Sequence, residues 1–217
     1  MAQAEAICSG CGHKHEVRLY PLVNVRENPE LKDAVRDGSL FVWECPDCGQ
    51  KNLIRSQTLY HDPDGKLMVW LLPEGSVGGD GEKAMSAALS EMTGQLSGYT
   101  LRRVQDVGSL IEKVNIHDAG LEDTVMEICK YVTRMQLAEN DRENAPAIMQ
   151  APFKFFRLEG ADNKLIFSFP LRGKMQGVPV GFSIYEDCAG ILRRNPSVRP
   201  DDGFAKVDSD WVARFFR

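Results

Sequence analysis

The chain has 217 residues, 43% of them hydrophobic and 26% charged, with a formal net charge of −5, a composition ordinary for a globular protein with one large or two small domains. The acidic balance also holds locally, with eight Lys/Arg against ten Asp/Glu over residues 1–73, which argues against binding through nucleic-acid phosphates. The longest apolar run, Leu67 to Leu72, is about a third as long as a membrane span.

Met1 to Ala6 has neither the basic start nor the apolar segment of a secretory leader. The expected address is therefore the cytoplasm, where the six cysteines stay reduced and do not form a disulfide framework. His15 to Val25 reads as a strand, with Val17, Leu19 and Leu22 available to a core. Asn28-Pro29-Glu30 supplies an N-cap, a proline suited to the first helical position and an acid in the first turn. The short helix carries Leu31 and Val35 and ends at Gly38. Leu40 to Trp43 is a strand running into Cys45. Leu53 to Tyr60 and Leu67 to Leu72 flank Asp62-Pro63-Asp64-Gly65 and pair as a hairpin.

Glu74 to Lys83 is glycine-rich and without apolar periodicity, so it reads as a linker or loop. That divides the chain into 1–75, a linker at 76–83, and 84–217. Ala84 to Leu96 is weakly helical and Tyr99 to Val104 is a strand. Ser109-Leu110-Ile111-Glu112 has capping-box spacing and opens a helix of about two turns. A longer helix runs from Leu121 to Asn140, with Leu121, Val125, Ile128, Val132 and Met135 forming one stripe. Phe153 to Leu158 and Leu165 to Phe169 bracket Gly160-Ala161-Asp162-Asn163 as a second hairpin, and Val178 to Phe182 adds a strand. Ser183-Ile184-Tyr185-Glu186 is a second capping box, opening a helix to Arg194. Asp208 to Phe216 is a terminal helix with Trp211, Val212 and Phe215 inward.

The chemistry is concentrated in Cys8-Ser9-Gly10-Cys11-Gly12 and Cys45-Pro46-Asp47-Cys48-Gly49. Two cysteines three apart can grip one ion from a tight turn whose N–H groups disperse the thiolate charge, and the glycine that follows tolerates positive φ. Two such knuckles give tetrahedral sulfur coordination, the preference of structural zinc. The predicted ligands are Cys8, Cys11, Cys45 and Cys48. Four thiolates leave no open position for water or substrate, so the site is structural. Iron is the alternative ion, since rubredoxins use similar knuckles. Redox chemistry is disfavoured, because neither pair precedes a helix, which would lower the thiol pKa.

Other candidates have blander readings. His13 and His15 flank the first knuckle and read as exposed strand histidines rather than ligands. His61-Asp62 lies at a hairpin mouth and reads as turn rather than acid–base pair. In His117-Asp118 the aspartate reads as a helix cap. Cys129 and Cys188 fall on apolar helix faces and read as small buried hydrophobes. Gly78-Gly79-Asp80-Gly81 lacks the lysine and serine or threonine of a phosphate-binding loop, and no nucleophile elbow or dinucleotide fingerprint occurs. No catalytic residue is assigned.

The paired knuckles, the stretch Asp37-Gly38-Ser39-Leu40-Phe41 running into the second knuckle, Tyr60-His61-Asp62-Pro63 before Leu67-Met68-Val69, and Asp118-Ala119-Gly120-Leu121 within Leu110 to Lys130 together resemble the CpXC proteins. These are prokaryotic proteins with paired Cys-Pro-x-Cys motifs and no established activity. The resemblance runs over roughly residues 6–130 and departs from the pattern at Ser9, where proline is expected. It implies metal binding by the same four cysteines and no catalytic residue.

The expected fold is α+β, a zinc-ribbon-like antiparallel sheet with an inserted short helix followed by a mixed helix and β-hairpin region. The favoured role is a zinc-stabilised interaction or scaffold protein whose partners are proteins, a second copy of the chain included. The alternatives are a nucleic-acid-associated zinc ribbon, or an enzyme with its site in a cleft between the two parts.

Overall fold

The computed structural model describes residues 2–74 and 96–216, and its helices and strands make an α+β protein. The chain forms two compact units, Met1–Ile111 and Glu112–Arg217, divided inside a helix, Val107–Asp118. The linker expected at 76–83, and all but the last residue of the helix expected from Ala84 to Leu96, lie outside the described residues. Among the described residues, no helix is long and apolar enough to cross a membrane.

The first unit opens with an antiparallel hairpin of β1 (Ala2–Ile7) and β2 (Lys14–Leu19). The single strand expected from His15 to Val25 is broken at Tyr20-Pro21, and the chain resumes as β3 (Leu22–Asn24). Proline has no N–H for a ladder, which ends the first pairing there. Val23 and Val25 are buried, and Leu22, expected in the core, is 56% exposed. Helix α1 (Glu30–Arg36) begins after Pro29, and no side chain caps it, so Asn28 is not its N-cap. Gly38 does end it in the left-handed conformation, at φ 79°. A short 3₁₀ turn, Ser39–Phe41, replaces the start of the expected strand and leads into β4 (Val42–Glu44).

After the second knuckle, β5 (Lys51–Leu53) pairs antiparallel with β4. The expected strand from Leu53 to Tyr60 is interrupted, and β6 (Thr58–Asp62) is a separate element. The predicted hairpin of β6 with β7 (Leu67–Leu71) is present, its turn held by Asp62 Oδ1 accepting from the Gly65 N–H at 2.9 Å. These strands belong to a four-stranded sheet of order β3-β6-β7-β8, where β8 is Thr100–Val104. Its two outer pairings, β3 with β6 and β7 with β8, are parallel. Every residue of β7 is buried, which explains its unbroken Leu-Met-Val-Trp-Leu run: an inner strand covered on both faces has no reason to alternate. Around the cysteines the sheets are instead two small antiparallel pairs, β1-β2 and β4-β5.

Helix α2 (Val107–Asp118) is twelve residues long, longer than expected. Its first turn is held by Asp106, whose carboxylate accepts from the Ser109 N–H and hydroxyl at 2.8 and 2.6 Å. The capping box at Ser109 is therefore overturned, and Glu112 serves elsewhere. Helix α3 (Asp123–Asn140) follows; its N-cap position is Glu122 and no side chain caps it, so Asp118 does not do so.

The second unit continues with α4 (Ala145–Gln150), a helix with no predicted counterpart, and a three-stranded antiparallel sheet. The strands are β9 (Lys154–Glu159), β10 (Lys164–Leu171) and β11 (Lys174–Val180). The second hairpin is thus present and extended by one strand, which runs Lys174–Val180 rather than from Val178 to Phe182, since Phe182 opens the next helix. Helix α5 (Phe182–Arg194) has Gly181 at its N-cap without a side-chain cap, so Ser183 lies inside the helix. The last helix, α6 (Ser209–Ala213), is capped by Asp208, which accepts from the Trp211 N–H at 3.0 Å. Trp211 and Val212 are buried, whereas Phe215 is 38% exposed.

The core of this unit is aromatic and aliphatic, built from Val125, Ile128, Phe153, Phe155, Leu165 and Phe167 with Cys129 and Cys188 among them. Each fully buried aromatic contributes on the order of 1.5–3 kcal/mol, and Phe153 stacks on Phe169 at 4.2 Å. Met135, at the end of the predicted stripe, is partly exposed, while Asp123, Glu127 and Lys130 on the same helix are buried. They form an ion network with Glu112 and Lys113. Lys113 Nζ lies 2.8 Å from Asp123 and 3.3 Å from Glu127, and Lys130 Nζ lies 2.9 Å from Glu112 and 2.8 Å from Glu127. Backbone groups complete it: the Phe155 N–H donates to Glu112 at 2.7 Å, and Lys113 donates to the Val207 carbonyl at 2.7 Å.

Candidate metal centre

Both knuckles have the same backbone design. The Gly12 N–H donates to the Cys8 carbonyl at 2.9 Å and the Gly49 N–H to the Cys45 carbonyl at 2.8 Å. Each turn then closes onto its strand, through Cys8 N–H to the His13 carbonyl and Cys45 N–H to the Gln50 carbonyl, both at 2.9 Å. Gly12 and Gly49 have φ of 77° and 72°, the left-handed conformation that costs glycine least.

The two turns face one another. Cys8 Sγ lies 3.5 Å from Cys48 Sγ, and Cys11 Sγ lies 3.6 Å from Cys45 Sγ. Disulfides bring sulfurs to about 2.05 Å, so these are separate thiols, whereas a tetrahedral zinc with bonds of 2.3 Å sets its sulfurs about 3.8 Å apart. All four ligand atoms fall within 4.8 Å of one another. Cys8 and Cys45 are buried, and Cys11 and Cys48 lie toward solvent. The structure thus brings together the four predicted cysteines in an arrangement that can hold one metal ion.

Electrostatics make the same demand. Cys8 is held down at about 6, first by the Cys11 backbone N–H, then by those of Gly10 and the Asn52 amide, against burial. At Cys48 the Gln50 backbone N–H acts in the same sense, yet burial and the neighbouring cysteines push the thiol up to about 12. The Cys8 thiolate forms readily, whereas Cys11 and Cys48 are both pushed up and resist ionisation without a cation beside them. Neither knuckle precedes a helix: β2 follows the first and β5 the second. The feature that acidifies redox-active pairs is therefore missing here.

Five further residues, Ser9, Asn52, Asp47, His13 and His15, complete the centre, and sequence reasoning did not find them in these roles. Asn52 is buried; its Oδ1 accepts from the Ser9 N–H and hydroxyl, both at 2.8 Å, while its Nδ2 donates to Cys8 Sγ at 3.6 Å and to the Gln50 carbonyl at 2.8 Å. Ser9 supplies two donors that a proline at its position would lack. Asp47 Oδ2 meets His13 Nδ1 at 2.6 Å and His15 Nε2 at 3.1 Å. His13 is exposed as expected, but His15 is half-buried, its Nε2 3.5 Å from Cys45 Sγ and its ring 5.7 Å from Trp43. Such partners around a ligand fix its orientation.

The other candidates stay apart from this centre. His61 Nε2 contacts the Tyr99 hydroxyl at 3.2 Å, and Asp62 bonds Lys32 at 3.2 Å. As neighbours on one strand, His61 and Asp62 point to opposite faces, which rules out an acid–base pair between them. Cys129 and Cys188 are buried; the Cys188 thiol beside it, together with burial, pushes Cys129 far above the ordinary thiol range, an inert protonated side chain.

The model of the CpXC protein family matches residues 7–130. Neither a curated protein nor a solved structure matches the chain. The match covers more than half of the sequence and both knuckles, and the chain belongs to the CpXC protein family.

Proposed function

We propose that this CpXC protein is a zinc-stabilised protein-interaction module, in which Cys8, Cys11, Cys45 and Cys48 hold one zinc ion and the two hairpins that carry them present the binding surface. The observation that carries this reading is the pairing of a four-sulfur centre with uncovered apolar side chains on the same hairpins. Ile7 is 63% exposed, Leu53 55% and Val42 41%. Four thiolates fill the tetrahedron of zinc, so the ion has no position for a substrate and its work is to hold β1-β2 against β4-β5. Large exposed apolar residues gathered beside it are what a protein partner covers.

Two measurements test the reading. Elemental analysis of the purified protein should give one zinc per chain and no colour; a red, iron-containing protein would replace zinc by iron. Benzoylphenylalanine in place of Leu53, irradiated in cells, should give discrete protein adducts that disappear when Cys45 and Cys48 are both changed to Ser. The same probe in place of Met175 in the second unit should give none. Identical adduct patterns at the two positions, or none at either, would remove the interaction role.

A further inference from the structure

We propose that the groove between the open edges of β1 and β5 binds an extended, acidic peptide segment of a partner protein as an added strand. This rests on the interaction role above and names its ligand. The groove encloses about 440 Å³ and is lined by consecutive residues Ala4 to Ile7 of β1, and by β5 with the three residues that follow it, Lys51 to Ser56, over Val17, Leu19 and Trp43. Side chains alternate between faces of a strand, so a wall made of consecutive residues is a backbone edge.

The register shows which backbone groups that edge offers. Cys8 and His13 are hydrogen-bonded opposite one another, and alternation along the ladder turns the N–H and C=O of Glu5 and Ile7 away from β2. On the other side the Ile54 N–H donates to the Phe41 carbonyl and the Cys45 N–H to the Gln50 carbonyl. By the same alternation Lys51 and Leu53 turn theirs away from β4. The Lys51 carbonyl is taken by the Gln50 side chain at 2.8 Å, which leaves its N–H and both groups of Leu53. Each two-stranded sheet ends at this edge, and an open edge is a template for strand addition.

Side chains define the ligand. Ala4, Ala6 and Val17 share the inward face of the first hairpin, a floor suited to small apolar side chains. On the walls, Glu5 is neutralised by Lys14 at 2.7 Å, whereas Lys51 and Arg55 have no ion-pair partner among the described residues. A strand laid between them turns one face to the floor, where small apolar side chains fit, and the other to solvent, where its carboxylates lie beside the exposed Lys51 and Arg55. The metal centre holds one end of the groove, through Ser9 and Asn52, so its shape depends on the bound ion.

The test is fluorescence anisotropy on the full-length, zinc-loaded protein with a labelled peptide of about nine residues alternating valine and glutamate. Binding should fall by about tenfold for the Lys51→Glu/Arg55→Glu protein, and equally for the peptide with lysine replacing glutamate. N-methylation of alternate peptide nitrogens, which leaves the protein unaltered, should abolish it. Equal affinity for acidic and basic peptides, no binding by roughly 1 mM, tighter binding of an RNA oligonucleotide, or a zinc-loaded dimer that the peptide cannot dissociate would each overturn the proposal. If peptide binding fails while Leu53 still gives partner adducts in cells, only this proposal falls; if both fail, the interaction role falls with it.

Discussion

The two units reconcile buried or crowded polar groups by opposite means. In the second, Glu112, Asp123 and Glu127 are matched by Lys113 and Lys130 at 2.8–3.3 Å, and the cations are part of the chain. In the first, four thiols crowd together with sulfur contacts of 3.5 and 3.6 Å, and on the proposed reading the charge that balances their thiolates is a metal ion taken from outside. An ion network of the first kind depends on pH and packing. A sulfur centre of the second kind depends on metal supply, and its apparent binding energy is folding energy.

Removing the metal should break this contrast open most widely. Zinc contributes roughly 10–16 kcal/mol in small finger peptides, so a strong chelator should abolish amide-exchange protection across β1, β2, β4 and β5. Protection of β9, β10 and β11 should persist. Equal loss in both sets would mean that the two units do not fold by separate means.

A smaller effect is expected from Lys130→Met, which removes one buried cation and leaves Glu112 and Glu127 under-compensated, at a cost of about 3–5 kcal/mol. Burial alone would raise the Glu112 pKa, but Lys130, Lys154 and Lys113 outweigh it and hold it below the ordinary carboxylate value. A depressed carboxylate stabilises the fold above its unfolded pKa, and that stability is lost as pH falls through the folded pKa. With Lys130 gone burial gains weight, so acid unfolding of the variant should begin at higher pH than in the wild type. Urea unfolding over a pH series measures both effects, and an unchanged acid limb would refute the network's role.

The finest probe is Ser9→Pro, which restores the family motif at the first knuckle. It removes both donors to Asn52 and should lower stability by about 1 kcal/mol, with zinc stoichiometry unchanged. A rise in melting temperature would show that the rigidity of proline outweighs those bonds.

What was legible in the sequence was local. Each knuckle is a five-residue motif with its glycine, and each hairpin is announced by its turn, so the four cysteines and the two strand pairs could be placed from the letters. What was hidden depends on pairing between distant segments. Asn52 reaches Cys8 and Ser9 only because β5 lies beside the first knuckle, and the parallel partners of β6 and β7 come from either end of the first unit. Asp123, Glu127 and Lys130 are charged residues whose burial no local pattern signals, and they are buried because Glu112 and Lys113 of the preceding helix supply partners. Ser109 and Ser183 have capping-box spacing but lie one or more residues inside their helices, where Asp106 and Gly181 take the first position.

The separation of the knuckles has a consequence for biosynthesis. Cys11 and Cys45 are 34 residues apart, so at ribosomal rates the second pair is made about 2–7 s after the first. During that interval a nascent chain can offer an ion only two sulfurs, a weak, exchangeable grip. On the proposed reading, the full sulfur set that holds an ion tightly exists only from the moment when Cys48 joins.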